Sequence, residues 1–199
     1  IYHTHSQEAF KDSGPQGRTI VEVGDYLAEL LTQKGYRVYH DTSVYDLQSG
    51  VLDRSKAYNY ALEGVNRILQ QNPSIQVVLD LHRDGVSENL HMVSDINGKP
   101  TAQIMFFNGL SRTPEGKIAY LPNPYLAENL AFSLKMQLGA QAYFPGFARK
   151  IYLKGLRYNL HLRPKSALIE AGAQTNTFEE VKNAMEPLAQ LLDMVLQGE

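Results

Sequence analysis

Ile75-Gln76-Val77-Val78-Leu79-Asp80-Leu81-His82-Arg83-Asp84-Gly85 decides the fold class of this 199-residue chain. Its first seven residues form a dense apolar run with β-branched side chains, the pattern of a central strand buried on both faces. Such a strand belongs to a sheet covered by helices, and the upstream sequence supplies them. Thr19-Ile20-Val21-Glu22 reads as a capping box opening a helix with Ile20, Val23, Leu27, Leu30 and Leu31 on one face and Gly35 as its stop. Tyr36-Arg37-Val38-Tyr39 reads as a short strand. A second helix follows Asp53, places Ala57, Ala61, Leu62, Val65, Ile68 and Leu69 inward, and ends at Asn72-Pro73. With Ile1-Tyr2 as the end of an opening strand, the first 81 residues spell β-α-β-α-β, the signature of an α/β sheet.

Downstream the pattern is less regular. Residues 89–95 and 101–107 flank Asn97-Gly98, a hairpin signal. Asn123-Pro124 opens a third helix with Leu126, Leu130, Leu134 and Leu138 along it and Gly139 at its end. Residues 140–157 are rich in Gly and aromatics and show no readable element. Ala167-Leu168-Ile169 is a further buried strand. Thr177-Phe178-Glu179-Glu180 repeats the capping box and starts a last helix, with a kink expected at Pro187. No repeat, low-complexity tract or linker interrupts the chain. The expected architecture is α/β, one domain over residues 1–199, with a mainly parallel mixed sheet and helices on both faces.

Composition removes several function classes. Nineteen basic residues against 21 acidic ones give a formal charge of −2, so there is no electrostatic basis for general nucleic-acid binding. No apolar run reaches the roughly 18 to 20 residues of a membrane span. Cysteine is absent, which excludes thiolate metal sites, disulfides and cysteine nucleophiles; any metal must sit on His, Asp or Glu. No Gly-x-Ser-x-Gly elbow, Walker lysine loop or Gly-x-Gly-x-x-Gly turn is present. The abrupt start at Ile1-Tyr2-His3 reads as a fragment whose upstream part was removed.

Ligands in open α/β sheets bind beyond the carboxyl ends of strands. Three polar clusters fall at such ends: His3-Thr4-His5-Ser6-Gln7-Glu8, Asp80-Leu81-His82-Arg83-Asp84-Gly85, and Glu170-Ala171-Gly172. A catalytic zinc site without cysteine takes three His or carboxylate ligands and keeps one position open. His5, Glu8 and His82 supply that set and leave Glu170 as a base. Each residue has a plainer reading. A lone histidine at a strand end is more often structural, Glu22 is the capping partner of Thr19, and Asp80 and Asp84 suit a cap or turn. His40, His91 and His161 read as structural or surface residues. Convergence of the clusters on one sheet edge is what favours a metal hydrolase. The 12 tyrosines serve packing in the first instance, with some available to line a sugar or peptide groove.

At these clusters the sequence resembles a known family. Residues 1–8, Val77-Val78-Leu79-Asp80-Leu81-His82-Arg83-Asp84 and Pro164-Lys165-Ser166-Ala167-Leu168-Ile169-Glu170-Ala171-Gly172 are similar to the stage II sporulation protein P family. More broadly they resemble the zinc-dependent N-acetylmuramoyl-L-alanine amidases. The likeness extends over nearly the whole chain, including Val23-Gly24-Asp25 and Leu52-Asp53-Arg54-Ser55. It implies a peptidoglycan hydrolase that uses zinc (Zn2+) and acts outside the cytoplasmic membrane from an N-terminal anchor absent here. The bond cleaved is the amide between the lactyl group of N-acetylmuramic acid and L-alanine. The resemblance also implies a role in sporulation and engulfment beside the glycan-cleaving stage II sporulation protein D, and a stem-peptide endopeptidase activity. It implies His82 as the second zinc histidine, His5 as the first with His3 in reserve, and Glu170 as the catalytic acid. The carboxylate ligand is Glu8 or, at the start of the first helix, Glu22; Gln16 and Arg18 are the other residues there. Arg83 is expected to meet an oxyanion or a stem-peptide carboxylate, or else to pair with Asp84. Two other functions compete: a different wall-directed metal hydrolase, such as a carboxypeptidase or deacetylase, and a peptidoglycan-binding module without turnover.

Overall fold

The computed structural model describes residues 1–15, 17–48 and 50–198. Four helices surround a mixed sheet: α1 (Ile20–Gln33), α2 (Arg54–Gln71), α3 (Leu126–Tyr143) and α4 (Phe178–Gln197). The strands are β1 (Leu47–Gln48), β2 (Val51–Leu52), β3 (Val77–Asp84), β4 (Val93–Ile96), β5 (Lys99–Ala102), β6 (Ile104–Gly109), β7 (Arg112–Thr113), β8 (Gly116–Lys117), β9 (Tyr152–Lys154) and β10 (Lys165–Ala173). The main sheet runs β3-β10-β6-β9. β3 lies parallel to β10 and β6 parallel to β9, while β10 and β6 are antiparallel. The opening segment joins the free side of β3 through a parallel bridge from Tyr2 to Asp80.

Alternation along the strands sends odd and even residues to opposite faces. Leu79, Leu81, Ile104, Phe106, Ile169 and Ala171 pack with α1, α3 and α4 in the larger core. On the other face, Val78 packs with Ala61, Val65 and Leu69 of α2. Met105, Phe107 and Leu168 pack there too, beneath Tyr58 of α2, Tyr158 and Leu160. Helices therefore lie on both faces, and β10 and β6 are the inner strands of the four.

Three helix starts carry the expected caps. Thr19 and Thr177 complete capping boxes with Glu22 and Glu180, and the Asp53 carboxylate accepts from Ser55 N and Lys56 N. Other expectations are corrected. Residues 36–39 form no ladder among the described residues; just beyond them, Asp41 N donates to Ile1 O at 2.9 Å. Asn97 (φ 54°) and Gly98 (φ 78°) do form the two-residue hairpin turn, but its second strand ends at Ala102. Residues 104–109 leave the hairpin and pair with β10 instead.

The third helix passes through Gly139. A Cβ there would sit 3.1 Å from Leu191 Cδ2, so the glycine permits close approach of α4 rather than ending the helix. Its leucine stripe also faces the other way. Leu134 and Leu138 are 50% and 55% exposed, while Asn129, Phe132, Ser133, Met136, Gln137 and Ala140 are buried. The buried stripe has the same helical spacing, and its polar members hold the sheet: Ser166 N donates to Asn129 Oδ1 at 2.9 Å and Ser133 Oγ donates to Asn108 Oδ1 at 3.3 Å. The last helix continues through Pro187 to Gln197.

Candidate metal centre

The opening loop is held at the carboxyl end of β3 by carboxylates that the strand and its neighbours supply. Thr4 donates twice to Asp80, from N at 2.9 Å and from Oγ1 at 2.6 Å. Ser6 Oγ and Gln7 N donate to the buried Asp46 at 2.8 and 3.1 Å. The resulting turn brings Glu8 back over β3, where Arg83 N donates to Glu8 Oε2 at 2.9 Å. His5, Glu8 and His82 thereby present donor atoms all within 4.8 Å of one another.

Glu8 lies between the two rings, with Oε1 3.4 Å from His5 Nδ1 and Oε2 3.5 Å from His82 Nδ1. Ligands at zinc distance in a tetrahedron are separated by roughly 3.3–3.5 Å. Asp80, two residues before His82 on the same strand face, places Oδ1 2.8 Å from His82 Nε2, although the approach is not aligned as a hydrogen bond. A carboxylate behind a histidine is the usual support of a metal-ligating imidazole.

The electrostatics point the same way. Burial raises the Glu8 carboxyl, but His5, His82 and Arg83 N–H outweigh it and hold Glu8 below the usual carboxylate range. Burial lowers His82, yet Asp80 and Glu8 outweigh it and raise the ring well above its ordinary value. Asp80 is lowered because His82 and Thr4 outweigh its burial. Two buried carboxylates, Asp80 at Nε2 and Glu8 at Nδ1, thus favour positive charge on the His82 ring, and a cation on its Nδ1 side would compete with a proton. His5 Nε2 has no partner among the described residues. This donor set fits a zinc ion.

Glu170 is paired in register with His82 across β10 and β3. Desolvation raises its carboxyl to about 7, with Glu8, Asp84 and Asp80 adding to the rise and His82 opposing it. Its Oε2 is buried and without a hydrogen-bond partner among the described residues. A register shift follows between Glu170 and Ala173, and Gly172 takes φ +64°. A Cβ at Gly172 would come within 2.8 Å of Val181 Cγ2 and 2.9 Å of Asn176 Oδ1, so only glycine fits this bulge.

The remaining candidates lie elsewhere. Both His3 nitrogens are engaged, Nδ1 with Leu81 O and Nε2 with His40 Nε2, each at 2.8 Å. Glu22 Oε2 accepts from Thr19 N at 2.6 Å as a helix cap. The Arg18 guanidinium lies over the Phe178 ring, and Gln16 falls outside the described residues. Arg83 directs Nε to Ala9 O at 3.1 Å and Nη1 to the main-chain oxygen of Asp84 at 3.2 Å. The Asp84 carboxylate pairs with Arg149 at 2.8 Å.

Sequence reasoning gave Asp80 a capping role and passed over Tyr58. The signal for Asp80 was an acid inside an apolar strand, two residues from a histidine and therefore on its face. Tyr58, at the rim of α2, stacks on His82 at 6.4 Å and meets His5 edge-on at 5.5 Å. Burial, then the charges of Asp80, Glu170 and Glu8, raises its phenol and keeps it neutral.

The family model of stage II sporulation protein P (SpoIIP) matches residues 1–193. The chain belongs to this family. Stage II sporulation protein P of Bacillus subtilis (strain 168) is 24% identical to it over 208 residues, covering 95% of this chain and 48% of that protein. The chain thus spans about half the length of the curated relative it matches. Among solved structures, the N-acetylmuramoyl-L-alanine amidase AmiC2 of Nostoc punctiforme is similar, with a TM-score of 0.56 and 15% identity over 98% of this chain and 96% of that one. The CwlD amidase from Clostridioides difficile, solved in complex with the GerS lipoprotein, gives 0.58 and 13% over 96% and 89%. At these identities the likeness is one of fold. Among the described residues, no helix of this family member is long and apolar enough to cross a membrane.

Proposed function

We propose that residues 1–199 form the catalytic domain of a zinc-dependent peptidoglycan hydrolase. It cleaves the amide between the lactyl group of N-acetylmuramic acid and the first L-alanine of the stem peptide, in the wall remodelling of sporulation. The observation that carries this reading is the convergence of His5, Glu8 and His82 within 4.8 Å, with a buried carboxyl of raised pKa in register beside them. Membership of the sporulation family, on a fold shared with muramoyl amidases, supports the choice of substrate.

Zinc bound by His5, Glu8 and His82 would supply a Lewis acid that acidifies water and polarises a carbonyl. Glu170 accepts the proton from the attacking water as its oxygen bonds to the carbonyl carbon. It returns that proton to the alanine nitrogen as the carbon–nitrogen bond breaks. A carboxyl near 7 is suited to both halves of that exchange at neutral pH. Asp80 orients His82, and Arg83 acts through its main-chain N–H on Glu8 and its grip on Ala9 O, as a positioning residue. The same groups serve a second cut within stem peptides.

Action on the cell-wall side of the membrane, from an anchor outside this sequence and beside stage II sporulation protein D, rests on the family resemblance. Digestion of a defined muropeptide, followed by mass measurement of the products, tests the reaction. The expected products are the free muramyl sugar and a stem peptide beginning at L-alanine, part of it shortened by the second cut. Stem fragments still attached to sugar, with no intact stem, would make the protein a peptidase; loss of acetyl would make it a deacetylase; no products at all would leave a binding module.

A further inference from the structure

We propose that the open end of the sheet face that carries His82, at Tyr152 on β9, binds a sugar ring of the glycan, with Tyr152 and the half-buried Tyr158 as its aromatic surfaces. This subsite rests on the amidase reading above and specifies which side of the scissile amide the chain grips.

Register carries the first part of the argument. Asp80, Leu168, Phe107 and Tyr152 form one row across β3, β10, β6 and β9, while His82, Glu170 and Met105 form the next row. Residues paired in this way share a face. At ordinary strand spacing, Tyr152 lies roughly 12 Å from Glu170, two strands across and one step along. Helix α2 and residues 157–160 cover this face as far as Phe107. Beyond it the cover stops, and Tyr152 is 42% exposed.

Ring contacts join the metal cluster to that open end without a break. Tyr58 stacks on His82, Tyr158 meets Tyr58 at 5.4 Å, Phe107 meets Tyr158 at 4.7 Å, and Tyr152 meets Phe107 at 5.5 Å. The loop that supplies Tyr158 is strained. Tyr158 (φ 52°) and Asn159 (φ 57°) are consecutive left-handed residues, and a bulky aromatic seldom occupies that region. Asn159 Nδ2 donates to Tyr58 O at 2.7 Å and fixes the loop to α2. What the strain secures is a ring extending the aromatic wall from Tyr58.

The chemistry of the surface selects the ligand. A pyranose has an apolar C–H face surrounded by hydroxyl and amide groups. Tyrosine rings suit the first, and Lys154, exposed with Nζ 5.3 Å from the Tyr152 centroid, suits the second. A stem peptide carries carboxylates and would seek cations. Arg149 is already paired with Asp84, and Lys154 holds its Nζ over the Tyr152 ring. The ligand is therefore an N-acetylated sugar of the strand that bears the muramyl amide.

Two measurements on the whole chain test this. Calorimetric titration with N-acetylglucosamine tetramer, which contains no peptide, should show binding that Tyr152→Ala weakens roughly three- to tenfold and Tyr152→Phe largely retains. In hydrolysis, Tyr152→Ala should raise KM for a long-glycan muropeptide, so that kcat/KM for it relative to a one-sugar muropeptide falls by a similar factor. Equal tetramer binding by wild type and Tyr152→Ala, or no binding by either, overturns the subsite. Weaker binding of free stem peptide in place of the tetramer makes the surface a peptide site and also overturns it. The binding arm needs no turnover: tetramer affinity that depends on Tyr152, in protein releasing no stem peptide, upholds the subsite and removes the amidase reading. Stem-peptide release without tetramer binding does the reverse.

Discussion

Replacing Glu170 with Gln removes an ionisable group from a buried position where its Oε2 has no hydrogen-bond partner among the described residues. Its carboxyl stands near 7, against an ordinary 4.5, chiefly because it is buried. The folded chain therefore holds more protons than the unfolded chain between those two values, and stability falls as pH rises through that window. Each factor of ten in proton affinity is worth about 1.4 kcal/mol, so ionising Glu170 in the metal-free fold costs roughly 3 kcal/mol. Gln has the shape of the protonated acid and never ionises. Chelator-treated Glu170→Gln should match wild type near pH 4.5 and exceed it by up to about 3 kcal/mol at pH 8, measured by urea denaturation across the range. His82 is present in both proteins, so its own titration largely cancels in the difference. Added zinc should narrow the gap, because a nearby cation favours the ionised carboxylate. The same variant should lose on the order of a hundredfold to ten-thousandfold in hydrolysis while binding zinc. Free-energy curves that stay parallel from pH 4.5 to 8 would refute the desolvated placement of Glu170, and with it the reason for its choice as base.

Asp80→Asn should weaken zinc binding ten- to hundredfold in competition with a chromogenic chelator, because His82 loses its supporting charge; unchanged affinity would remove Asp80 from the centre. Met136→Ala should cost about 2–5 kcal/mol in urea, whereas Leu134→Ala should cost about 0.5 kcal/mol or less. Equal costs would mean that α3 presents its leucines to the core. Thr19→Ala should cost about 1 kcal/mol through loss of the α1 cap, with zinc content unchanged.

Local signals translated well into local structure. Capping boxes at Thr19 and Thr177 and the Asn97-Gly98 turn are short-range arrangements whose donors and acceptors lie within four residues. The candidate site was legible for a related reason: His5, Glu8, His82 and Glu170 all sit where a strand or opening segment meets the loops beyond it. Pairing at long range was not. Residues 101–107 look continuous, and nothing local shows that the chain breaks at Gln103 so that Ile104 can face Ala171 on β10. In α3, two stripes share the same helical spacing, and the one made of leucines alone looks the more apolar. The structure buries the one with Asn129 and Ser133 because their hydrogen-bond partners lie on the sheet and on Ser166. Asp80 escaped because an acid near a strand end reads alike whether it turns the chain or supports a ligand. Tyr58 came from α2, whose apolar pattern says nothing about which rim residue meets the opening loop.

Zinc content tests the central claim, that His5, Glu8 and His82 together hold a metal. Elemental analysis of protein purified without chelator should give one equivalent for wild type and for Glu22→Ala, and well below one for Glu8→Ala and His82→Ala. A full equivalent in Glu8→Ala, or its loss in Glu22→Ala alone, would contradict the site drawn here and move the carboxylate ligand to the start of α1.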